Sequence, residues 1–489
     1  MRELVALVKH DCPVCDDLLP ALDAAAHAGA PLRILSQSDA AATAAQAQRL
    51  GLAGIPALDD ALALSALLDP DAVPALFLLD GDGAELGRVE GLQRERIREL
   101  AASAGVVLAL DGLPEHRPGC ASRTRDPDVA ATLAVRAARA AGRLRARPFT
   151  VGALEDVQEA LHERGLTDGL PVVPPTPERV VAMLAHTGRH PQDVVGIVPP
   201  YDGVATVEKV AINAVMAGCP GEVLPIVLAA VEAVCDEAFA LQGVVATTYP
   251  AGPTVVVSGP LADTVGMASG GNCLGQGNRA NMTIGRALQL VVRNVGGGRP
   301  GREDRAAHGW MGKLSSCFAE RTADSPWEPL SVERGLAPGE TGVTVFATEA
   351  PRVLVDQAAR DPESLAASLA QALEGIAHPF LRSGFDALLV LGPEHARPFA
   401  EAGWSKDRLR AELLRCTTRP AGELLRHGTG EGLAAAPDPA LPVPKFARPG
   451  QIAIVHAGGD AGLFSMVYGS WAAGALGSDP VTRSVEPWR

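Results

Sequence analysis

The 489-residue chain has few aromatic residues and no excess of positive charge, and each deficit excludes a class of function. Phe, Trp and Tyr make up 4% of the chain, which argues against a protein that stacks nucleic-acid bases on aromatic rings. Its 43 Lys and Arg residues are outnumbered by 57 Asp and Glu residues, so the formal net charge is −14. Such a chain repels phosphate backbones overall, and we expect no nucleic-acid partner.

Long apolar runs and a secretion signal are also lacking. No uninterrupted apolar stretch reaches about 18 residues, the length that a membrane span needs. The first nine residues are typical of a β-strand and lack the apolar core and cleavage site of a signal peptide. We therefore expect no membrane partner and a cytoplasmic location, where structural disulfides are uncommon.

Cysteine is sparse, with eight residues in the whole chain. This number is too small for a disulfide scaffold of this length, so each cysteine is expected to be a buried apolar residue, a metal ligand or a redox thiol. Apolar residues make up 47% and charged residues 20%, as in ordinary globular proteins. The length corresponds to two to four domains at roughly 150 residues each.

The pattern of apolar segments divides the chain into three parts: a small α/β unit at 1–106, a Pro/Arg-rich linker with one helix at 107–150, and a larger domain at 151–489. In the first part we predict strands at 4–8 and 32–35, helices from 13 to about 28, at 39–50 (which 58–68 extends) and at 93–102, and a hairpin over 72–89. In the last part strands and helices alternate, which predicts an α/β fold.

For the large domain the predicted strands are 194–198, 243–248, 254–258, 343–347, 387–391 and 452–456. The predicted helices are 207–217, 222–239, 280–294, 362–376 and 406–414.

A Cys-x-x-Cys motif, Cys12-Pro13-Val14-Cys15, lies where the first strand meets the first helix. The unpaired N–H groups of a helix N-terminus stabilise a thiolate on the first cysteine, and the second cysteine lies one turn away, within reach to resolve a mixed disulfide. The alternative is half of a zinc site, but His10 and His27 do not provide a second pair of ligands at a familiar spacing.

With this motif, residues 1–106 resemble a thioredoxin-like domain. The resemblance implies that Cys12 is the nucleophile and Cys15 the resolving thiol. It also implies that Pro74, in Val73-Pro74, is the cis-proline that shapes the substrate groove. Two departures point to a specialised partner surface: no aromatic residue precedes Cys12, and the helical stretch after the second strand is longer.

A glycine-rich loop in the large domain runs into a predicted helix over 269–287. Such a loop can turn several N–H groups toward one anion or carbonyl, although it matches neither the phosphate-loop pattern nor the dinucleotide fingerprint. The alternative is a tight loop beneath a packed helix. Near this helix N-terminus, Cys273 is expected to have a lowered pKa. The candidate ligand-binding residues are Gly271, Asn272, Gly275, Gly277, Asn278 and Arg279.

Other candidates are scattered along the large domain. His308, Lys313, Cys317 and Glu320 lie within a span of 13 residues and include a base, a nucleophile and an acid, although ordinary surfaces carry such residues too. Cys219 lies between the C-terminus of one predicted helix, which raises a thiol pKa, and the N-terminus of the next, which lowers it. The sequence therefore leaves two roles open for Cys219, a catalytic thiol or a buried structural residue.

Strand ends supply the remaining candidates. His395 follows one predicted strand and His456 ends another, at the edge where open α/β sheets bind ligands. Alternatively, each histidine caps a helix or donates to a carbonyl group as a structural residue. The Pro-rich segment at 167–176 is expected to be structural, with Asp168 as the residue that can serve a site.

From TDGLPVVPPT onward, including ANMTIGRA and GPEHA, residues 160–489 resemble a group of large uncharacterised bacterial proteins, some associated with cysteine- or selenocysteine-containing redox partners. The group has no established activity, so this resemblance implies a role in redox chemistry but no particular reaction or substrate.

Three functional hypotheses follow. In the first, the thioredoxin-like domain passes electrons to a thiol-dependent site in the second domain that acts on a small molecule, with an external thiol or disulfide reductant and no cofactor beyond redox-active cysteines. In the second, a lyase or an enzyme that handles a soft metal or metalloid uses Cys219, Cys273, Cys317 and a histidine, and the Cys-x-x-Cys motif exchanges thiols with that site. The third is a non-enzymatic redox sensor or binding protein. Long apolar helices favour a homo-oligomer.

Overall fold

The computed structural model describes residues 2–427, 438–474 and 477–489. The chain forms two compact units, Met1–Ala140 and Ala141–Arg489. Both contain helices and mixed sheets, so the predicted α/β class is confirmed: a smaller α/β unit at the N-terminus is followed by a larger mixed α/β unit.

The strands of the first unit are β1 (Glu3–Val8), β2 (Leu32–Ser36), β3 (Ala57–Leu58), β4 (Ala72–Val73), β5 (Ala75–Leu79), β6 (Glu85–Glu90), β7 (Leu92–Gln93), β8 (His116–Arg117) and β9 (Cys120–Ala121). Its helices are α1 (Pro13–His27), α2 (Ala40–Leu50), α3 (Ala63–Leu68), α4 (Arg94–Ser103) and α5 (Pro127–Ala140).

The sheet of the first unit has the order β3-β2-β1-β5-β6, with β1 parallel to β2 and antiparallel to β5. Side chains of β1 alternate between two cores, because successive residues of a strand point to opposite faces. Val5 and Leu7 pack in the core that contains the Cys-x-x-Cys motif, whereas Leu4 and Ala6 pack on the other face. The predicted hairpin is confirmed as the antiparallel pair β5 and β6.

The segment predicted as a linker contributes strands to the first unit. Here β8 pairs with β7, β9 pairs with β4, and helix α5 ends at Ala140. Sequence 58–68, predicted to extend α2, instead contains the separate helix α3, because residues 53–57 leave the helix and β3 pairs with β2.

The strands of the second unit are β10 (Val194–Val198), β11 (Gly203–Thr206), β12 (Gly252–Ser258), β13 (Cys317–Ala319), β14 (Gly342–Thr348), β15 (Arg352–Val355), β16 (Phe385–Leu391), β17 (Arg419–Pro420), β18 (Pro442–Val443), β19 (Ile452–His456), β20 (Phe464–Ala472) and β21 (Val481–Ser484). Its helices are α6 (Val157–Glu163), α7 (Pro177–Leu184), α8 (Val207–Ala217), α9 (Leu224–Val234), α10 (Leu241–Ala246), α11 (Pro260–Thr264), α12 (Arg279–Asn294), α13 (Leu330–Glu333), α14 (Pro362–Glu374), α15 (Pro393–Glu401), α16 (Lys406–Cys416) and α17 (Ala421–His427).

The main sheet of the second unit has the order β13-β12-β14-β20-β16-β19, with β15 on β20 and β21 on β14. Helices α8, α9 and α12 pack in the largest core, and every residue of α9 except Glu232 is buried. Because β16 and β19 are parallel, Leu391 and His456 end their strands side by side. Across the described part of the chain, no helix combines the length and apolarity of a membrane span.

Most predicted elements of this unit are confirmed, and two need correction. Residues 243–246 form the end of α10, and 247–248 follow it outside any strand, because a short apolar run such as Val244-Val245 has no periodicity that separates strand from helix. The predicted helix 222–239 is broken: α9 ends at Val234, and Asp236 caps a separate short turn over Glu237–Phe239.

Candidate functional site

The Cys-x-x-Cys motif lies between β1 and α1, as its sequence pattern predicts. Cys12 is the N-cap of α1, and its Sγ accepts a hydrogen bond of 3.3 Å from the backbone N–H of Cys15. Pro13 occupies the first helical turn, where the missing N–H costs no hydrogen bond. Cys12 is 1% exposed and Cys15 is fully buried. The sulfur of Cys12 therefore takes the place that a Ser or Asp side chain has in an ordinary N-cap.

Pro74 and its neighbour lie against this motif. The peptide bond between Val73 and Pro74 is cis, and the carbonyl oxygen of Val73 is 3.4 Å from the Sγ of Cys12. Val73 packs in the same core as both cysteines of the motif. The structure thus brings Cys12, Cys15 and the Val73-Pro74 pair together, in the arrangement that the resemblance to thioredoxin-like domains implies.

Sequence reasoning missed a third thiol in this site. Cys120 lies on β9, and its Cα pairs with that of Val73 on β4. The side chain of Cys120 packs against the core that contains Cys12 and Cys15, next to Val73, whose carbonyl oxygen is 3.4 Å from the Cys12 sulfur. No spacing motif marks Cys120, because the contact depends on pairing between two strands of two residues each.

The three thiols differ strongly in acidity. Hydrogen bonding from Cys15, helped by Cys120 and opposed by burial, lowers the pKa of Cys12 to about 5. Burial, together with the hydrogen bond and charge of Cys12, raises the pKa of Cys15 well above its ordinary value. At neutral pH Cys12 is therefore a thiolate and Cys15 a thiol. Dithiol chemistry requires this difference, because the thiolate attacks the substrate first and the thiol resolves the mixed disulfide afterwards.

A second candidate site is a cavity of about 220 Å³ in the second unit. Three glycine-rich segments line it: 270–275, the turn at Gly392 after β16, and 457–462 after β19. Sequence analysis marked the first segment and the strand ends at His395 and His456, and the parallel pairing of β16 and β19 brings these two strand ends to one sheet edge. Ligands of open α/β sheets bind at such an edge.

The predicted ligand-binding residues of the glycine-rich loop divide into two groups. Asn272 and Gly275 line the cavity. Asn278, in contrast, caps α12 through a 2.9 Å hydrogen bond from the backbone N–H of Asn281, and the guanidinium of Arg279 donates to the carbonyl of Gly218. Gly271 lies against Gly459 at the edge of the cavity, and Gly277 takes a positive φ in the turn before α12.

Ser465 on β20 also lines the cavity and is paired with His395 on α15. Nδ1 of His395 is 2.8 Å from the Oγ of Ser465, and its Nε2 is 3.1 Å from the carbonyl oxygen of Asp356. Because a carbonyl only accepts, the proton of the neutral ring lies on Nε2, and Nδ1 accepts the hydroxyl proton of Ser465. The ring therefore polarises a hydroxyl group at the wall of the cavity.

The expectation of a lowered pKa for Cys273 is wrong. Cys273 lines the cavity, but α12 begins only at Arg279 and burial raises the pKa of this thiol to about 11. Burial likewise raises the pKa of Cys219, whose Sγ donates to the carbonyl of Thr283, to about 12. Cys317 on β13 is buried in the main core, and burial raises its pKa further.

The predicted cluster around Cys317 is not assembled into one site. Lys313 forms an ion pair of 2.7 Å with Asp304, and Glu320 accepts hydrogen bonds from Ser258 and from the backbone of Leu330. His308 is exposed. Among the described residues, no hydrogen bond or ion pair joins two members of this cluster.

The remaining candidates have structural partners. His456 lies 3.1 Å from the carbonyl oxygen of Arg321, and burial lowers its pKa. Asp168 forms a bidentate ion pair with Arg286 that fixes the Pro-rich segment to α12. Within the ranges that the structure describes, no three His, Cys, Asp or Glu side chains are grouped as a metal site. The soft-metal hypothesis therefore has no ligand set among these residues.

Comparisons with known proteins reach only the first part of the chain. No protein-family model matches, and no curated protein matches. A secreted Mycobacterium tuberculosis disulfide oxidoreductase homologous to E. coli DsbE is 16% identical over 21% of this chain and 81% of its own, with a TM-score of 0.18. StoA from Bacillus subtilis is 16% identical over 21% of this chain and 82% of its own, with a TM-score of 0.18. MTB DsbF is 13% identical over 21% of this chain and 80% of its own, with a TM-score of 0.19.

Proposed function

We propose that the chain is a thiol–disulfide oxidoreductase in which Cys12 is the nucleophile and Cys15 resolves the mixed disulfide. The observation that carries this proposal is the place of the Cys12 sulfur as the N-cap of α1, beside the N–H of Cys15. Backbone N–H groups at a helix N-terminus stabilise the thiolate that attacks disulfides. Cys15 is held as a thiol until Cys12 has reacted.

The chemistry runs in two balanced steps. The Cys12 thiolate attacks one sulfur of a disulfide RSSR, forming a Cys12–SR disulfide and releasing RS⁻, which takes up a proton. Cys15 then loses its proton and attacks the Sγ of Cys12, forming the Cys12–Cys15 disulfide and releasing the second thiol. Two electrons pass from the protein to the substrate, and an external dithiol restores the reduced motif.

We further propose that these electrons serve a reaction on a small molecule in the second unit. The glycine-lined cavity is the candidate site, since its wall combines the Cys273 thiol with the polarised hydroxyl of Ser465. In this scheme the small molecule is the two-electron oxidant: it converts a thiol of the second unit to a disulfide, sulfenate or substrate adduct and is itself reduced. Cys12 then attacks the oxidised sulfur, and Cys15 closes the Cys12–Cys15 disulfide as the thiol of the second unit is released. Because the electron donor in the first unit and the electron acceptor in the second unit belong to one chain, their effective concentration is roughly millimolar.

Reduction of glutathione disulfide by the full chain, driven by an excess of dithiothreitol, tests the first step. Cys12→Ser removes the nucleophile, so the catalysed rate is expected to fall by a factor on the order of 10³. Cys416→Ser, which changes a half-buried thiol of the second unit, is the matched control and is expected to keep the wild-type rate. An unchanged rate in Cys12→Ser would refute the proposed function.

A further inference from the structure

We propose that Cys120 is a second resolving thiol, so that Cys12 forms a disulfide with either Cys15 or Cys120. This inference rests on the proposed function and extends it. The geometry places the two candidate partners on different elements around one sulfur: Cys15 is on α1, whereas Cys120 is on β9, in register with Val73. The Val73 carbonyl oxygen is 3.4 Å from the sulfur of Cys12, and the Cys120 side chain packs against the core that contains this sulfur.

The segment that carries Cys120, residues 116–122, is fixed over the motif by its backbone, and we call it the strap. Its two short strands pair with β7 and β4. Between them Gly119 lies so close to β4 that a Cβ on it would be 2.8 Å from the Val73 carbonyl oxygen and 2.9 Å from the Cβ of Ala72. Only glycine permits this approach, which keeps Cys120 next to Cys12.

Side chains at both ends also hold the strap in place. Arg117 forms an ion pair with Asp17, which lies on α1 two residues after Cys15. The Oγ of Ser122 accepts a 2.9 Å hydrogen bond from the side-chain amide of Gln37, and both residues are buried. The strap is thus tied to the same helix whose N-terminus Cys12 caps, so Cys120 is held in position by contacts other than those with Cys12.

Solvent access distinguishes Cys120 from the other two thiols. Cys12 is 1% exposed and Cys15 is fully buried, whereas Cys120 is half-buried. A disulfide between Cys12 and Cys120 therefore presents a sulfur that an external dithiol can reach, while a disulfide between Cys12 and Cys15 lies deeper. An external dithiol is therefore expected to reduce the Cys12–Cys120 disulfide more readily than the Cys12–Cys15 disulfide.

The order of events follows from the charge on Cys12. Burial, with the hydrogen bond and negative charge of Cys12, raises the pKa of Cys120 to about 11, which keeps it protonated while Cys12 is a free thiolate. Once Cys12 is part of a mixed disulfide, that negative charge is gone and Cys120 deprotonates more readily. Cys120 therefore becomes a nucleophile only after Cys12 has reacted.

The step itself is an ordinary exchange. Cys120 loses its proton and attacks the Sγ of Cys12 in the Cys12–SR disulfide. The bond from Cys12 to SR breaks as the Cys12–Cys120 bond forms, and RS⁻ leaves and takes up a proton. The substrate has then gained two electrons from Cys12 and Cys120, and Cys15 remains a thiol.

The test uses the full reduced chain, glutathione disulfide as the probe, and intact-mass and peptide mass spectrometry as readouts. In Cys15→Ser, Cys120 is the remaining resolving thiol, so we expect the glutathione adduct on Cys12 to disappear and a Cys12–Cys120 disulfide to replace it. In Cys15→Ser/Cys120→Ser we expect the adduct to persist. Peptide mapping of the oxidised wild-type chain, which needs no substitution, is expected to contain both disulfides.

The outcomes separate this inference from the proposed function. If Cys15→Ser holds its adduct as long as the double variant does, and the oxidised wild type contains only Cys12–Cys15, Cys120 has no resolving role although Cys12 remains the nucleophile. If no adduct forms on Cys12 in the double variant, the proposed function itself fails.

Discussion

The cysteines of the two units show that burial and reactivity are separate properties. Cys12 and Cys273 are both buried, and both were expected to be activated by a helix N-terminus. Hydrogen bonds from the Cys15 side chain and from the Cys15 backbone N–H lower the pKa of Cys12 to about 5. Cys273 lies six residues before α12 begins, and burial raises its pKa to about 11. Direct hydrogen bonds to the sulfur, and not proximity in sequence to a helix, make the thiolate.

The largest expected effect is the difference in alkylation rate between these two thiols as pH falls. At pH 6 Cys12 is mostly a thiolate, whereas about 1 in 10⁵ of Cys273 is ionised. The higher intrinsic reactivity of the more basic thiolate offsets part of this difference. We expect iodoacetamide to modify Cys12 about 200-fold faster at pH 6 and about 20-fold faster at pH 7.

Peptide mass spectrometry of a single digest measures both rates in the same sample. The Cys12 rate is expected to stay nearly constant from pH 8 to pH 6 and to fall only as pH approaches 5. A tenfold loss of the Cys12 labelling rate for each unit of pH below 8 would mean that this thiol has an ordinary pKa. Cys12 and Cys273 would then not differ in acidity as the account requires.

A buried carboxyl group extends the comparison to the second unit. Burial, reinforced by the charge of Asp479 and opposed by a hydrogen bond from Gln451, raises the pKa of Asp386 to about 6. Because this folded-state pKa lies above the ordinary value of 3.8, the ionised group destabilises the fold above pH 6, and below about pH 4 this effect is absent. Asp386→Asn is expected to stabilise the chain by about 3 kcal/mol at pH 8 and by about half of that at pH 5.

Urea unfolding at the two pH values measures this change. Asp407→Asn, which removes an exposed carboxylate from the same unit, controls for the loss of one negative charge. Equal effects of Asp386→Asn at pH 5 and pH 8 would contradict the assignment of a raised pKa to Asp386.

The smallest expected effect concerns the strap of the first unit. In Gly119→Ala the new Cβ meets the Val73 carbonyl and Ala72, so we expect a loss of stability of about 2 kcal/mol. Movement of the strap should also lower the share of the Cys12–Cys120 disulfide after oxidation. Gly450→Ala is the matched control, because a Cβ there has open space.

Thermal unfolding and peptide mapping of the oxidised chain measure these two consequences. An unchanged share of Cys12–Cys120 in Gly119→Ala, despite a lower unfolding temperature, would show that the close approach at Gly119 does not position Cys120.

Local patterns predicted the part of the site that depends on neighbouring residues. The spacing of Cys12 and Cys15 at a strand–helix junction is a local signal, and the structure has both at the start of α1. Cys120 was not predictable in this way, because β4 and β9 are two residues long and lie far apart in sequence. Each strand is too short to show a period, and only tertiary packing joins them.

In the second unit, too, contacts between distant segments could not be predicted from the sequence. Its glycine-rich loop and the two strand ends were each recognisable, but their convergence on one cavity depends on the parallel pairing of β16 and β19. The pairing of Ser465 with His395 likewise joins β20 to α15 across a long stretch of chain. Residue types are visible in a sequence, whereas contacts between distant elements follow from the fold.

The most direct test of the account is to trap the nucleophile. The Cys15→Ser/Cys120→Ser variant has neither resolving thiol, so a mixed disulfide formed with glutathione disulfide should be stable and can be mapped by peptide mass spectrometry. The account predicts an adduct on Cys12, formed fastest of all the cysteines. A stable adduct on Cys219, Cys273 or Cys317, with Cys12 left free, would contradict it.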